Sequence, residues 1–209
     1  MTRFCLVRHG HTDAVDHSLA GWQDRVALNA RGVRALEKLA AWFAEREISA
    51  VYTSPIARTL HSAELIARRL GLTPVPCAAL GELQFGDWTG KKFTELRSDR
   101  QWQRFNRFRS ATRMPNGETM LETQTRAIGA LLSLRDRHPE QSIALITHGD
   151  VIKAIAVYFL GMPLDLYARL VIAPASLTEL ELDGDQVRCL VLNRTLSSFE
   201  QRALTQQLP

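Results

Sequence analysis

Short unbroken apolar runs alternate along the chain with longer segments in which apolar residues recur every three or four positions. Phe4-Cys5-Leu6-Val7 ends at Arg8-His9-Gly10, the pattern of a strand buried on both faces that opens into a loop. From Asn29, a residue type that caps helices, Val33, Leu36, Leu39, Ala40 and Phe43 recur at helical spacing through about Glu47. Ala50-Val51-Tyr52-Thr53 predicts a second strand. Ser54-Pro55 then predicts a cap and first helical position for a helix carrying Leu60, Ala63, Ile66, Ala67 and Leu70, which stops at Gly71. Residues 73–79 predict a third strand, irregular or peripheral because Pro74 and Pro76 cannot donate to a ladder. Helical spacing returns from Glu118 to Arg137 and ends at His138-Pro139. Ile143-Ala144-Leu145-Ile146 predicts a central strand that runs into Thr147-His148-Gly149-Asp150, and a helix over Val151 to Leu160 follows. Leu177 to Leu182 and Val187 to Leu192 flank Asp183-Gly184-Asp185, a hairpin by composition. Strands alternating with helices, then a hairpin, predict an α/β three-layer sandwich: a mostly parallel central sheet flanked by helices, with a C-terminal hairpin.

Residues 81–117 interrupt this order. They carry Trp88, Trp102, Phe93, Phe105 and Phe108 without a sustained period, together with Arg97, Arg100, Arg104, Arg107, Arg109 and Arg113. Such a helical and loop excursion serves either as a wall or lid over a pocket or as an outer helical layer with a solvated basic face. At 209 residues, 45% hydrophobic and 23% charged, the chain has material for one domain over 1–209, which excludes disordered and collagen-like classes. Twenty-six Lys and Arg against 22 Asp and Glu leave a net charge of +4, suited to an anionic small molecule and too weak to argue for nucleic acid. Cys5, Cys77 and Cys189 are widely separated, which speaks against a disulfide framework or thiolate zinc site and for a reducing compartment. With no signal-peptide core and no apolar stretch of membrane-spanning length, the expectation is a soluble cytoplasmic protein that does not engage a membrane.

The candidate chemistry lies at two strand ends. In open α/β sheets ligands bind beyond the carboxyl ends of the strands, and two independent junctions, at His9-Gly10 and His148-Gly149, deliver a histidine followed by glycine to that edge. The glycines allow a sharp turn and let a substrate approach main-chain N–H groups, and the helix start beyond each favours an anion. Arg8 adjoins the first histidine and Arg58 sits early in the helix leaving the second strand; guanidinium forks match phosphate oxygens and stay charged at any working pH. Two imidazoles are thereby expected to border a common, solvent-reachable pocket ringed by guanidinium groups. A metal-site reading of His9-Gly10-His11-Thr12-Asp13, with Asp16 and His17 recruited, is weakened because Ala14 occupies the place of a third histidine and arginines nearby repel a dication.

Leu6-Val7-Arg8-His9-Gly10, Gly21-Trp22-Gln23-Asp24 with Leu28-Asn29-Ala30-Arg31-Gly32, Ser54-Pro55-Ile56-Ala57-Arg58-Thr59, Glu82 through Gly90, Pro115-Asn116-Gly117-Glu118-Thr119 and Thr147 through Ile152 follow one another in the order of a known set of motifs. In them the chain resembles the histidine phosphatase superfamily, in its phosphoglycerate-mutase-like branch, over nearly its whole length. The resemblance implies a phosphohistidine mechanism without metal or cofactor. His9 would attack phosphorus; Arg8, Arg58 and His148 would hold the phosphoryl oxygens; Glu82 would protonate the leaving oxygen and later activate water. Thr12, Gly21 and Gly149 are further candidate substrate-binding positions. His11, Val15 and His61 depart from the family pattern, the first two at substrate contacts. The expected partner is a small phosphorylated metabolite, hydrolysed by a phosphatase; a phosphoglycerate-mutase-type transferase and a non-catalytic phospholigand-binding protein are the alternatives. The terminal hairpin leaves an edge strand able to pair with a second copy as a homodimer.

Overall fold

The computed structural model describes residues 1–184 and 186–195; Asp185 of the expected hairpin turn and the stretch 196–209 of the expected single domain lie outside the described residues. Six strands form one sheet: β1 (Thr2–Arg8), β2 (Ala50–Thr53), β3 (Val75–Pro76), β4 (Ser142–Thr147), β5 (Leu177–Asp183) and β6 (Gln186–Arg194), in the order β3-β2-β4-β1-β5-β6. The first four in that order run parallel, and β5 and β6 are added antiparallel as a hairpin. As Pro74 and Pro76 suggest, β3 is a two-residue fragment at the edge.

Alternation along the strands feeds two cores. Phe4, Leu6, Ile143 and Leu145 point to one face and Cys5, Val7, Ala144 and Ile146 to the other. The second face packs against Leu36, Leu39, Ala40 and Phe43 of α1 (Ala30–Phe43) and Ala63, Ile66 and Ala67 of α2 (Ala57–Leu70). The first face is covered by two helices whose ranges follow α3 (Phe93–Leu96) and α4 (Arg100–Arg107) in the chain: α5 (Met120–Arg137) and α6 (Gly149–Phe159). Burying each large aliphatic or aromatic side chain here contributes about 1.5–3 kcal/mol.

Two helix starts differ in an instructive way. Asn29 caps α1 as expected, accepting the Gly32 N–H at 3.0 Å, although the helix stops at Phe43, short of Glu47. By contrast, α2 begins at Ala57 with Ile56 as an N-cap that has no side-chain hydrogen bond, so Ser54 and Pro55 are not its cap and first turn. The Ser54 hydroxyl is engaged with a histidine, described below. No helix among the described residues is long and apolar enough to cross a membrane.

Candidate active site

Strand register assembles the site. On β1 and β4, Arg8 pairs with Thr147, so the next residues, His9 and His148, leave adjacent strand ends side by side. On the other side of β4, Thr53 pairs with Ile146, which brings Ser54 next to Thr147. The two imidazole centroids are 5.3 Å apart. Neither following glycine has a positive φ. A Cβ on Gly10 would lie 2.8 Å from the Leu36 Cδ1 and 2.9 Å from the Gly32 carbonyl oxygen, and one on Gly149 would lie 3.1 Å from the Arg8 Nε. The glycines therefore admit helix α1 and the Arg8 side chain rather than producing the expected sharp turn.

His9 is 4% exposed, and its Nδ1 lies 2.8 Å from the Gly10 carbonyl oxygen. A carbonyl only accepts, so Nδ1 carries the proton and Nε2 presents its lone pair. Burial, reinforced by Arg58 and Arg8, holds the imidazole well below its ordinary value, so it is neutral. Arg58 is 1% exposed and reaches in from the first turn of α2. Its Nε donates to His9 Nε2 at 3.3 Å, and its Nη2 donates to the Gly21 carbonyl at 2.8 Å and to His148 Nδ1 at 3.2 Å. Because guanidinium only donates, His148 bears its proton on Nε2, which donates to the Ser54 hydroxyl at 2.8 Å. Arg8 donates from Nη1 to the Ile172 carbonyl at 2.6 Å. Its Nε, and the Nη1 of Arg58, are buried donors with no hydrogen-bond partner among the described residues. Such orphaned cationic donors beside a nucleophilic nitrogen suit an oxyanion with several acceptor oxygens.

Glu82 faces this cradle. Its Oε2 is 3.5 Å from His148 Nδ1 and 3.9 Å from Arg58 Nη2, and its Oε1 accepts the Leu83 N–H at 3.1 Å. Burial, with Asp150 adding to it, pushes its carboxyl up to about 7 against the opposing pull of Arg58. The backbone of Glu82 is braced as well: its carbonyl accepts the Trp22 indole N–H at 2.7 Å and an Arg126 N–H at 3.0 Å.

These groups border a cleft of about 300 Å³ lined by Arg8, His9, Thr12, Gly21, Arg58, Glu82 and Gly149. Seven of the eight sequence-predicted site residues thus meet on one wall. His148 stands behind it, fully buried with both ring nitrogens engaged, and faces the cleft only through Arg58 and Glu82. That placement replaces the expectation that both rings border the open space. Asp150, Lys153 and Ile172 also line the cleft and were not singled out from sequence; Asp16 and Phe93 line it too, the first having been considered only as a metal ligand and the second only as part of the excursion. Asp150 and Lys153 had a signal: one follows Gly149 directly, and the other lies a helical turn beyond Gly149 on the same face of α6. Nothing local marks Ile172.

The excursion at 81–117 divides between its two readings. Glu82, Phe85 and Phe93 are wall, whereas Arg97, Arg100, Arg104, Arg107 and Arg113 are solvent-exposed and none lines the cleft. Arg109 alone of that run is buried, stacked between the rings of Phe105 and Tyr167 at 4.4 Å and 4.0 Å. His61 is an exposed helix residue. Among the described residues no group of three or more His, Cys, Asp or Glu side chains could hold a metal ion.

Known proteins share this architecture. A family model described as the histidine phosphatase superfamily (branch 1) matches residues 4–195. The phosphatase PhoE of Bacillus subtilis (strain 168), itself described as uncharacterized, is 28% identical over 200 residues, covering 95% of this chain and 99% of its own. The solved structure of YhfR from Bacillus stearothermophilus superposes with a TM-score of 0.86 at 30% identity, covering 91% of this chain and 96% of that one. A mycobacterial glucosyl-3-phosphoglycerate phosphatase solved with VO3 gives a TM-score of 0.83 at 26% identity, covering 92% and 99%. The motifs, the sheet and these matches agree: the chain belongs to branch 1 of the histidine phosphatase superfamily.

Proposed function

We propose that the protein hydrolyses a small organic phosphomonoester through a phosphohistidine on His9. One observation supports this above the rest: a neutral imidazole with its lone pair on Nε2 sits in a cleft beside the Arg8 and Arg58 guanidiniums, with the Glu82 carboxyl, pushed up to about 7 by burial, opposite. His9 Nε2 attacks phosphorus in line, and the P–O ester bond breaks as the leaving oxygen takes the proton of Glu82. The unpartnered donors of Arg8 and Arg58 supply hydrogen bonds to the phosphoryl oxygens, whose negative charge also relieves the repulsion between the two arginines. Glu82, now a carboxylate, removes a proton from water, which attacks phosphorus and displaces His9 with release of inorganic phosphate.

His148 enters this scheme through its neighbours. It receives one Arg58 N–H and lies within reach of the Glu82 proton, so it orients the fork and shares that proton as charge accumulates. Thr12, Gly21 and Gly149 complete the cradle: Gly21 by holding Arg58, Gly149 by leaving room for Arg8.

His9→Ala is expected to lower phosphate release from p-nitrophenyl phosphate at least about 10³-fold and to abolish the acid-labile phosphoenzyme trapped by rapid quench. Glu82→Gln should slow alkyl phosphates far more than p-nitrophenyl phosphate, whose leaving group needs no proton; equal slowing removes Glu82 from the acid role. A screen of phosphorylated metabolites run beside a 3-phosphoglycerate isomerisation assay separates the phosphatase from a mutase, with phosphate release and no isomerisation expected. The proposal includes a cytoplasmic location, supported by three free cysteines, and self-association through β6, supported by its position as an edge strand.

A further inference from the structure

A second carboxylate shares the cleft with Glu82. Asp150, in the first turn of α6, lines the same 300 Å³ space, and its Oδ1 accepts the Tyr167 hydroxyl at 3.0 Å. That hydroxyl is itself fixed. The Tyr167 ring is buried, with the Arg109 guanidinium 4.0 Å from its centre and the Lys153 ammonium 5.0 Å away. The groups near Asp150 are thus Tyr167, with Arg109 on its ring, Lys153 on the same helix, and Arg8, which packs against the adjacent Gly149 and lines the same cleft. Those facing Glu82 are Arg58 from α2, Arg8 from β1, His148 from the end of β4 and Arg126 from α5, the last directed at its carbonyl. Two carboxylates in one confined site repel, and the more deeply buried one takes the proton. Each has one hydrogen-bond donor, the Tyr167 phenol for Asp150 and the Leu83 N–H for Glu82, but Glu82 is buried whereas Asp150 is half-buried.

We infer that Asp150 is a positioning residue for the acid step: its carboxylate, anchored by Tyr167 at the cleft wall, keeps the proton on Glu82 until the leaving oxygen takes it. This rests on Glu82 being the acid, as proposed above. The raised carboxyl of Glu82, to which Asp150 contributes after burial, agrees with the geometry. So does Tyr167, whose phenol is held well above its ordinary value by burial and then by Asp150, and which therefore remains a donor.

The test is the pH dependence of kcat/KM for the wild type, Asp150→Asn and Asp150→Glu between about pH 5.5 and 9, with glycerol 3-phosphate as a poor leaving group and p-nitrophenyl phosphate as a good one. Asn keeps an acceptor for Tyr167 and removes only the charge. For glycerol 3-phosphate the activity falls as pH rises through the Glu82 ionisation. Asp150→Asn should move that falling limb to lower pH by about half to one unit, with no displacement for p-nitrophenyl phosphate and with Asp150→Glu restored to the wild-type position. An unmoved limb in Asp150→Asn, or equal displacement in both variants, overturns the inference while leaving the phosphohistidine reading intact. A wild type without any falling limb specific to glycerol 3-phosphate overturns Glu82 as the acid, and this inference with it.

Discussion

At the scale of single residues, the site depends on groups that can only donate being placed against groups that can only accept. Arg58 is the clearest case, since one guanidinium serves the His9 ring, the His148 ring and the Gly21 carbonyl from a position with 1% exposure. Lysine has a point charge on a flexible stem and cannot span those partners. Arg58→Lys is expected to lower kcat/KM about 10²–10³-fold, measured on p-nitrophenyl phosphate, with folding checked by circular dichroism. His9 and Arg8 were legible from strand-end position and residue type, and Arg58 from its place early in the helix that leaves β2. Ser54 was not: its serine-proline pair has the composition of a helix cap, and only the pairing of β2 with β4 shows that its hydroxyl belongs to His148. His148 was legible as a site residue, yet its seat behind Arg58 and Glu82 is a packing outcome that no local pattern encodes.

Among elements, the segment carrying Glu82 has little regular structure and is held from outside. Arg126 of α5 donates to the carbonyls of Ala79, Gly81 and Glu82 at 2.7, 2.8 and 3.0 Å and pairs with Glu118 at 3.2 Å, so one half-buried fork ties the acid to the helix behind it. Farther along, Gly86 has φ +54°, and a Cβ there would collide with the Pro115 carbonyl oxygen, which fastens the start of the excursion to its end. Arg126→Met should reduce kcat on alkyl phosphates about 10-fold or more while changing KM little, because the acid loses its alignment and the arginine cradle does not; steady-state kinetics on glycerol 3-phosphate read this directly. Helices α1, α5 and α6 were visible as 3.6-residue periods, with ends displaced by a few residues. The excursion showed none because α3 and α4 are short and are held by aromatic contacts, such as Trp88 against Trp102 at 5.3 Å, between residues not spaced along one helix face.

Across the whole molecule, the price of the site is charge buried at the sheet edge. Glu82 is raised from 4.5 to about 7, so its neutral form favours the fold below pH 4.5 and that contribution is lost as pH rises toward 7. His9 and His148 are lowered by burial and the arginines, so their contribution is present above their ordinary value of 6.5 and is lost on acidification. Glu82→Gln carries only the second dependence. Its melting temperature relative to wild type should therefore rise between about pH 5 and pH 8, by about 2–4 °C for each kcal/mol of strain removed, as calorimetry at the two pH values would show. A pH-independent difference would mean that ionisation of Glu82 costs the fold nothing. The layered α/β plan was legible from alternation of strand and helix periods, but the order of strands was not, since β4, distant in sequence from β1 and β2, is inserted between them. That insertion has a consequence for biosynthesis. A growing polypeptide that has emerged only as far as α5 holds β1 and β2 with no central strand to join them, so the nascent protein is expected to stay without a closed sheet or an assembled site until residue 147 has left the ribosome.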